Sequence, residues 1–558
     1  MRTKRAVVGI FAGLVSIGLV LSGCAAGGGT TDPSSSGKAT LDPAGDTNAQ
    51  PASAVAQGGT LRVPLQSFPP NWNYSFIDGT LADTDLVMQT MVQKPFVIGL
   101  DGAPTLNTDL LVSAEPTSTT PLVIEYKINP AATWSDGTPI TWADFEATFR
   151  ALNGTDPAYT IADSTGYNSM ASVTQGATVK DAIVTYTTPF ADWKSMFAPF
   201  YPASQIGTPA GFNTAYADAI PVTAGPFKLE ELNTSARTIS VVPDPTWWGD
   251  APKLDRIIFI ALDSSADVDA YLNKEIDLVA AGTTERYGRV SGAPDTALRA
   301  APSASYTHVD FSSSGIFADK QLRLAVQKAV DRASLSAVIV GDLPYDIPLL
   351  NNHIYLGTDA TYQDNAGDVG SFDPEAAKAI LTAAGWTGDG AVRTKDGKNL
   401  TFAITIPAGA VSSSQMAQVI QSQLAAVGMQ MTINEVASDA FFSDNITPGA
   451  YDMTIFLWGG TGYPAAGASI YRSGSEGQNY GRISSPALDT MLTEVVTDSD
   501  PVSAAALWNE IDTAIWAEGH SMPIIQSPRI IAINPTIANY GARPGAADVN
   551  WKIVGFMG

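Results

Sequence analysis

Strand-like and helical segments alternate through the second half of the chain, and this alternation restricts the possible folds more than any other feature. Apolar runs typical of strands cover residues 400–406, 429–436, 451–458 and 522–526. Capping residues and helical apolar spacing predict helices within residues 373–385, 413–427, 485–495 and 507–519. This pattern is typical of a parallel sheet in an α/β domain. Because about 500 residues exceed what one hydrophobic core supports, we expect two or three domains.

The N-terminus combines a basic start, an apolar run and a cysteine. Basic residues stand within positions 2–5, the segment 6–21 is uncharged, and Leu21-Ser22-Gly23-Cys24 matches the bacterial lipobox. The run is shorter than the ~20 residues of a membrane-spanning helix, so residues 1–23 are predicted to be a cleaved lipoprotein signal peptide. Cys24, the only cysteine of the chain, is then lipidated and anchors the protein at the extracytoplasmic face of the cell membrane. An ordinary signal peptide with an incidental cysteine and an uncleaved anchor are the alternatives.

Residues 24–57 are predicted to be a lipidated, flexible tether. The segment is rich in Gly, Ser, Thr, Pro and Ala and has neither aromatic residues nor an apolar period. A random coil of this length reaches roughly 30 Å. The folded part is therefore expected to begin at Gly58.

The charge balance is strongly acidic. Removal of the signal peptide takes three of the 31 Lys and Arg residues and leaves 28 against 55 Asp and Glu, a net charge of −27. Nucleic-acid binding requires a basic surface that neutralises phosphates, and a polybasic grip on anionic lipid needs the same. We therefore expect no nucleic-acid partner, and the charge is interpreted as serving solubility.

Histidine and cysteine are too few and too scattered to suggest a metal site. His308, His353 and His520 are at least 45 residues apart, so we expect isolated structural or surface histidines and no metal. The phosphate-binding motif G-x-x-x-x-G-K-[ST] and the nucleophile elbow G-x-S-x-G do not occur in the sequence. The sequence thus indicates no catalytic residues, no cofactor and no enzyme.

The segment 458–463 at the end of a predicted strand is the best candidate for a ligand-binding cleft. It contains Trp458, Thr461 and Tyr463. Clefts that hold small ligands are lined by aromatic side chains and a few polar groups, and ligands lie beyond the carboxyl ends of strands in open α/β sheets. Packing between domains is the alternative for Trp458 and Tyr463, and it is the favoured interpretation of the Trp247-Trp248 pair.

Six short motifs, in the right order, give the chain a family resemblance over about residues 58–535. It resembles the extracytoplasmic solute-binding proteins of ATP-driven peptide importers, the oligopeptide- and dipeptide-binding class known as bacterial extracellular solute-binding family 5, in its actinobacterial lipoprotein type. The motifs that carry the resemblance are GLDGAP at 99–104, WSDGTP at 134–139, GPFKL at 225–229, DPTWWG at 244–249, LNKEID at 272–277 and RLAVQKAVDR at 323–332.

The resemblance implies an α/β, two-lobed periplasmic-binding-protein-like fold of class II, cluster C type, with an extra domain in the first lobe. The implied parts are a first lobe (58–90, 221–305 and 525–558), an extra domain (91–220) and a second lobe (306–524). By this resemblance the lobes close on a ligand, without chemistry, and deliver it to an ABC permease driven by an ATPase. The protein is expected to be a monomer.

One position departs from the family. Many peptide binders carry an Asp before the Tyr-Pro pair that follows the tryptophan strand, and this Asp binds the peptide ammonium; here the position is Gly462. Its absence removes a charge-assisted hydrogen bond of roughly 1.5–3 kcal/mol, so modified peptides, peptide-like signals, sugars and glycolipids stay open as ligands. The remaining candidate ligand-binding residues, several of which supply neutral hydrogen bonds, are Tyr74, Asn351, Asn352, Asn479 and Tyr480.

Two other functions remain open from the sequence. The same fold without transport is assigned in some actinobacterial lipoproteins to envelope glycolipid assembly. A secreted hydrolase is the third possibility, although no motif favours it.

Overall fold

The computed structural model describes residues 38–263, 266–388, 391–437, 440–460, 462–474 and 478–558. The predicted signal peptide, Cys24 and Thr461 lie outside these residues. Residues 39–558 form one compact unit. Within the described ranges no helix is both long and apolar enough to cross a membrane.

The strands of the described residues follow in chain order. They are β1 Ala39–Thr40, β2 Thr60–Leu65, β3 Phe96–Ile98, β4 Pro104–Leu106, β5 Leu111–Thr119, β6 Leu122–Ile128, β7 Met170–Gln175, β8 Asp181–Tyr186, β9 Phe227–Asn233, β10 Thr238–Pro243, β11 Arg256–Ala261, β12 Leu278–Ala280, β13 Ala297–Phe311, β14 Tyr345–Asp346, β15 Thr394–Lys395, β16 Lys398–Asn399, β17 Thr401–Pro407, β18 Gln430–Val436, β19 Met453–Gly459, β20 Ser521–Ile533, β21 Ile537–Ala538 and β22 Gly555–Phe556.

The α-helices are interspersed with these strands. They are α1 Ala82–Met88, α2 Trp142–Leu152, α3 Ala203–Ile206, α4 Pro209–Thr214, α5 Asp267–Leu272, α6 Thr284–Val290, α7 Lys320–Ala329, α8 Arg332–Val340, α9 Pro374–Ala383, α10 Val411–Ala425, α11 Ala468–Tyr471, α12 Pro486–Val495 and α13 Pro501–Glu518. A π-helical turn covers Phe441–Ile446.

Three larger sheets organise these elements. One four-stranded sheet has the order β2-β11-β10-β9, and a second one, within the predicted extra domain, has the order β5-β6-β8-β7. The third sheet has six strands in the order β12-β20-β13-β19-β17-β18. The fold is therefore α/β, as the sequence predicts.

The predicted helices and parallel strands of the second half are found close to their expected positions. Strand β17, helix α10 and strand β18 form a parallel unit, and β19 pairs parallel to β17. The Asp373 side chain accepts a hydrogen bond from the amide of Ala376 and caps α9. Gly519 ends α13 with a φ of +62°, a left-handed conformation that glycine adopts without a Cβ penalty.

Strands β13 and β20 are longer than the sequence predicts and form an antiparallel pair. The predicted strand 522–526 is only the first part of β20. Pro302 and Pro528 face each other in the register of this pair, and the register shifts immediately after Pro302. Because proline has no N–H group, neither residue can donate a hydrogen bond across the pair at this point.

The hydrophobic interior consists of two main clusters. The first cluster contains the sheet of β2 and the extra domain, and its aromatic side chains include Trp72, Tyr126 and Phe200. The second cluster surrounds the six-stranded sheet and includes Phe311, Ile404 and Trp516. Strands β13 and β20 contribute side chains to both clusters. These two strands therefore connect the two cores.

The end of the predicted second lobe packs against the first cluster. Leu492 of α12 and Ile511 of α13 belong to the cluster that contains the extra domain. The amide of Ala191, in the extra domain, donates a hydrogen bond to the carbonyl of Val496 at 2.8 Å. The segment predicted as the second lobe is thus in direct contact with the segment predicted as the extra domain.

The tether prediction needs correction for residues 39–57. Strand β1 pairs in parallel with β14, and Asp46 and Val55 form bridges to Ala542 and Met557. The side chains of Leu41 and Val55 are buried. Backbone pairing needs no side-chain period, so the sequence pattern did not reveal it, and the folded part begins at Ala39 rather than at Gly58.

Candidate functional site

Three nearly parallel rings lie at the end of β19. The Trp458 ring makes an angle of 14° with the His308 ring at a centroid distance of 5.8 Å. It makes an angle of 18° with the Tyr480 ring at 5.6 Å. His308 is fully buried, whereas Trp458 and Tyr480 are half-buried. The exposed parts of Trp458 and Tyr480 are therefore the aromatic surface of this stack that a ligand can contact.

The chain after Trp458 is attached to the extra domain. The Tyr463 hydroxyl donates a hydrogen bond to the carbonyl of Lys194 at 3.2 Å. The amide of Ala465 donates to Oδ2 of Asp192 at 2.7 Å. Burial raises the pKa of Asp192 to about 6, although this hydrogen bond opposes the increase. The segment therefore links the second lobe to the extra domain of the first.

A side chain at Gly462 would make a tight contact with Ile98. A Cβ atom at this position would lie 3.0 Å from Cδ1 and 3.3 Å from Cγ1 of Ile98. This is tighter than ordinary van der Waals contact, so the Ile98 side chain would have to move. The sequence lacks the carboxylate that many peptide binders carry here, and a side chain at this position would require a small shift of Ile98.

Tyr74 lies beside a group of paired charges in the first lobe. The Lys94 ammonium contacts carboxylate oxygens of Asp548 at 3.0 Å and of Asp85 at 3.4 Å. Burial alone would lower the pKa of Lys94, but the two carboxylates outweigh burial and raise it. Burial and the Asp85 charge raise the pKa of Tyr74. Burial also raises the pKa of Tyr463; of the nearby charges, Asp548 raises this pKa and Lys94 lowers it. The structure thus brings Tyr74 and Tyr463 to the same charged group.

The three predicted asparagines use their side-chain amides in contacts within the protein, and Asn479 directly precedes Tyr480 of the stack. The Asn352 side chain donates to Gln363 and Asn509 and accepts from two backbone amides. The Asn479 side chain holds the turn before Ile483. Asn351 contacts Arg332 and Asp364 and lines a surface cavity of about 460 Å³. Asn352 and Asn479 are therefore scaffold residues, and their prediction as ligand contacts is not supported by this geometry.

The three histidines are not isolated, which corrects the expectation from sequence. His353 contacts Oδ1 of Asp512 at 2.7 Å, and the ring nitrogens of His308 and His520 are buried without a hydrogen-bond partner in the described residues. Burial and the neighbouring histidines lower the pKa of both His308 and His520 to about 3. In the described part of the chain, no group of three or more His, Cys, Asp or Glu side chains is arranged to hold a metal ion.

Several charged residues of this region were not predicted from the sequence. Lys94 and Asp548 are 454 positions apart, and Asp192 and Ala465 are 273 positions apart. Arg543 also belongs to this region, because the nearby charges of Asp548 and Asp85 raise the pKa of its guanidinium against the effect of burial. No spacing or local motif marks any of these residues, so only the fold reveals their proximity.

Comparisons with known proteins agree with this two-lobed arrangement. Residues 105–481 match the family model for bacterial extracellular solute-binding proteins, family 5 middle. The oligopeptide-binding protein OppA of Mycobacterium tuberculosis is 38% identical, over 97% of this chain and 92% of its own. The probable monoacyl phosphatidylinositol tetramannoside-binding protein LpqW of that species is 26% identical, over 62% of this chain and 58% of its own. The solved structure of the periplasmic EDTA-binding protein EppA has a TM-score of 0.85 and 27% identity, over 92% of this chain and 98% of that one.

Proposed function

The chain belongs to the bacterial extracellular solute-binding proteins of family 5, and on this premise we propose that it captures peptides or peptide-like compounds between its two lobes and delivers them to an ABC permease. Its fold is the two-lobed α/β fold of that family, and it is a binding protein rather than an enzyme. The predicted resemblance and fold class are thereby confirmed. The domain boundaries and the individual ligand contacts remain predictions.

The aromatic stack of Trp458 is the observation that carries the ligand-binding part of the proposal. It lies on the second lobe, and the segment that follows it contacts the first lobe through Tyr463 and Ala465. A ligand that stacks on Trp458 and Tyr480 therefore lies beside the junction of the lobes. Neutral and apolar contacts of this kind suit peptides of varied sequence, because they do not read individual side chains.

Membrane attachment belongs to the proposal as well. The protein acts outside the cytoplasm, as the binding proteins of this family do. Lipidation of Cys24 would keep it at the outer face of the cell membrane, near the permease and its ATPase, and a monomer suffices for this role. The tether that remains after the correction, residues 24–38, is shorter than the sequence suggested, so the folded part is held closer to the membrane.

A second candidate function is supported by two observations. The similarity to LpqW covers more than half of this chain, and Gly462 lacks the carboxylate that binds a peptide ammonium. The alternative is a lipoprotein that binds an envelope glycolipid and has no transport partner. It uses the same junction of the lobes.

Mass spectrometry of the co-purified ligand tests the proposal. The full chain is purified in detergent, and its ligands are measured first under native and then under denaturing conditions. Tightly bound ligands stabilise the folded protein by mass action and survive purification. A series of peptide masses is the expected result, whereas a glycolipid mass would favour the second function. If no ligand is retained, thermal-shift screening of peptides against glycans decides between them, and the absence of any peptide shift contradicts peptide capture.

A further inference from the structure

Two arginines meet close to the junction of the lobes with few partners for their charges. Nη1 of Arg529, on β20, donates to the backbone carbonyl of Arg543 at 2.9 Å. Nε and Nη1 of Arg543 are shielded from solvent and have no hydrogen-bond partner among the described residues. The Arg543 guanidinium lies 5.6 Å from the centre of the Tyr540 ring, a cation–π contact. Buried guanidinium groups normally have each N–H paired, so Arg543 is exceptional.

The charges around Arg543 do not balance. Burial lowers the pKa of Arg529 to about 10, and the repulsion from Arg543 contributes to this decrease. The carboxylates near enough to raise the pKa of Arg543 are those of Asp548 and Asp85. Both are already engaged with Lys94. Among these five groups, the three cations Lys94, Arg529 and Arg543 therefore share the two carboxylates of Asp85 and Asp548.

The loop that carries Arg543 reaches both sides of the candidate ligand surface. Ala546 packs against the same small apolar cluster as Trp458. Two residues further on, Asp548 accepts a hydrogen bond from the amide of Ile98. Ile98 is the residue that faces Gly462. The loop that carries Arg543 therefore contacts both the apolar cluster of Trp458 and the residue that faces Gly462.

We propose that Arg543, assisted by Arg529, binds a carboxylate of the transported ligand. A planar guanidinium matches a carboxylate in a two-pronged hydrogen bond, and one monovalent anion completes the charge balance of the cluster. In a peptide this group is the C-terminal carboxylate or an acidic side chain. Because Nε and Nη1 are shielded, ligand access requires the surrounding elements to separate, which a two-lobed fold permits. The site rests on the proposed function, and it anchors a carboxylate of the ligand rather than its ammonium end.

A matched pair of peptide mixtures tests this site. Pentapeptides with randomised neutral internal positions are synthesised once with a free C-terminal carboxylate and once with a C-terminal amide. Calorimetric titration of the full chain is expected to give binding of the free acids that is roughly 10- to 100-fold tighter than binding of the amides. Arg543→Gln is expected to abolish this difference, and Arg543→Lys, which keeps the charge, is expected to restore part of it. Arg150→Gln, an exposed arginine of α2, is the matched control.

Further results separate the anion site from the proposed function. If the wild-type chain binds acids and amides equally, Arg543 does not bind the C-terminal carboxylate, and peptide capture is unaffected. In that case, tighter binding of peptides with an internal Glu, lost in Arg543→Gln, would keep the anion site as a site for acidic side chains. Without such tighter binding, the anion site is overturned. If neither mixture binds, citrate is used as a simple carboxylate probe in thermal unfolding. Stabilisation by citrate that is lost in Arg543→Gln supports the anion site while peptide capture fails. No stabilisation by citrate in that case overturns the site.

Discussion

The carboxylate of Asp192 accepts the hydrogen bond of the Ala465 amide across the junction of the lobes, at 2.7 Å. Asp192 comes from the extra domain of the first lobe, and Ala465 follows the aromatic strand end of the second lobe. Substitutions at position 465 other than proline keep the backbone N–H, so the contact is best tested at the side chain of position 192. It is a direct link between the two lobes that single substitutions can test.

Asp192→Ala is expected to expose the Ala465 amide. Removal of the acceptor leaves a buried N–H unpaired, which costs about 1–3 kcal/mol. Hydrogen-exchange mass spectrometry should therefore show faster exchange in peptides that cover residues 462–467. Asp192→Asn keeps an acceptor oxygen and should exchange as slowly as the wild type, and Asp163→Ala, which removes an exposed carboxylate of the same domain, is the control. Unchanged exchange in Asp192→Ala would contradict the contact.

The pKa of Asp192 predicts that the free energy of unfolding depends on pH. In the folded structure this pKa is raised to about 6 by burial, so the folded protein binds a proton between about pH 4 and 6 that the unfolded chain does not. The free energy of unfolding contributed by Asp192 therefore increases as pH falls through this range, by a few kcal/mol at most. Wild type and Asp192→Asn are compared by denaturant unfolding between pH 4.5 and 7.5. A constant difference between the two chains across this range would refute the shift.

Trp458→Ala is expected to weaken ligand binding strongly. The substitution removes the stacking surface, and losses of about 1–3 kcal/mol are typical for a large aromatic contact, so the Kd should rise roughly 10- to 100-fold. Trp458→Phe should lose less. Trp247→Ala is a useful control because the Trp247 ring packs against Trp248, with ring centroids 4.3 Å apart, and not against Trp458. Equal Kd values for Trp458→Ala and the wild type would remove Trp458 from the site.

Deletion of residues 38–57 is expected to destabilise the fold. The buried side chains of Leu41 and Val55 and the backbone pairing of β1 would be lost, which corresponds to roughly 3–6 kcal/mol in the free energy of unfolding. Deletion of residues 25–37, which the sequence assigns to the tether, should leave thermal unfolding unchanged. Identical melting temperatures for both deletions would show that residues 39–57 do not stabilise the fold, as expected if the tether extended to residue 57.

Cys24→Ser is expected to release the chain from the membrane, because the substitution removes the acceptor of the lipid anchor. Cell fractionation followed by immunoblotting measures the shift from the membrane to the soluble fraction. Ser34→Ala, a substitution in the same segment, should leave the protein in the membrane fraction. Continued membrane retention of Cys24→Ser would show that another element attaches the chain.

The sequence predicts the local units of the fold well and the long-range ones poorly. The unit β17-α10-β18 follows from neighbouring segments, whose apolar periods and caps are visible in the sequence. The antiparallel pairing of β13 with β20 joins residues more than 200 positions apart, such as Ala297 and Ile533, and only the beginning of β20 resembles a strand in the sequence. The pairing of β1 leaves no side-chain signal at all.

The candidate site divides in the same way. Trp458, Tyr463 and Tyr480 are large aromatic residues in a loop context, and composition alone draws attention to them. Asn352 and Asn479 are also polar loop residues, but their amides are consumed by backbone groups within a few positions and by buried side chains. Whether an asparagine is available to a ligand depends on these partners, which the sequence does not encode locally. Arg543 could not be identified from the sequence for a related reason. It stands out only because two of its buried nitrogens have no hydrogen-bond partner among the described residues.

The facing prolines in the strands that join the two cores have a mechanical consequence. Pro302 and Pro528 leave a rung of the β13–β20 ladder without a donor on either strand, so bending there breaks no hydrogen bond between these two residues. At this joint the two strands exchange no hydrogen bond between the prolines, and we expect a change in the angle between β13 and β20 to meet less resistance here than along the rest of the pair. Arg529 is the next residue along β20, so opening of this joint moves the guanidinium that accompanies Arg543.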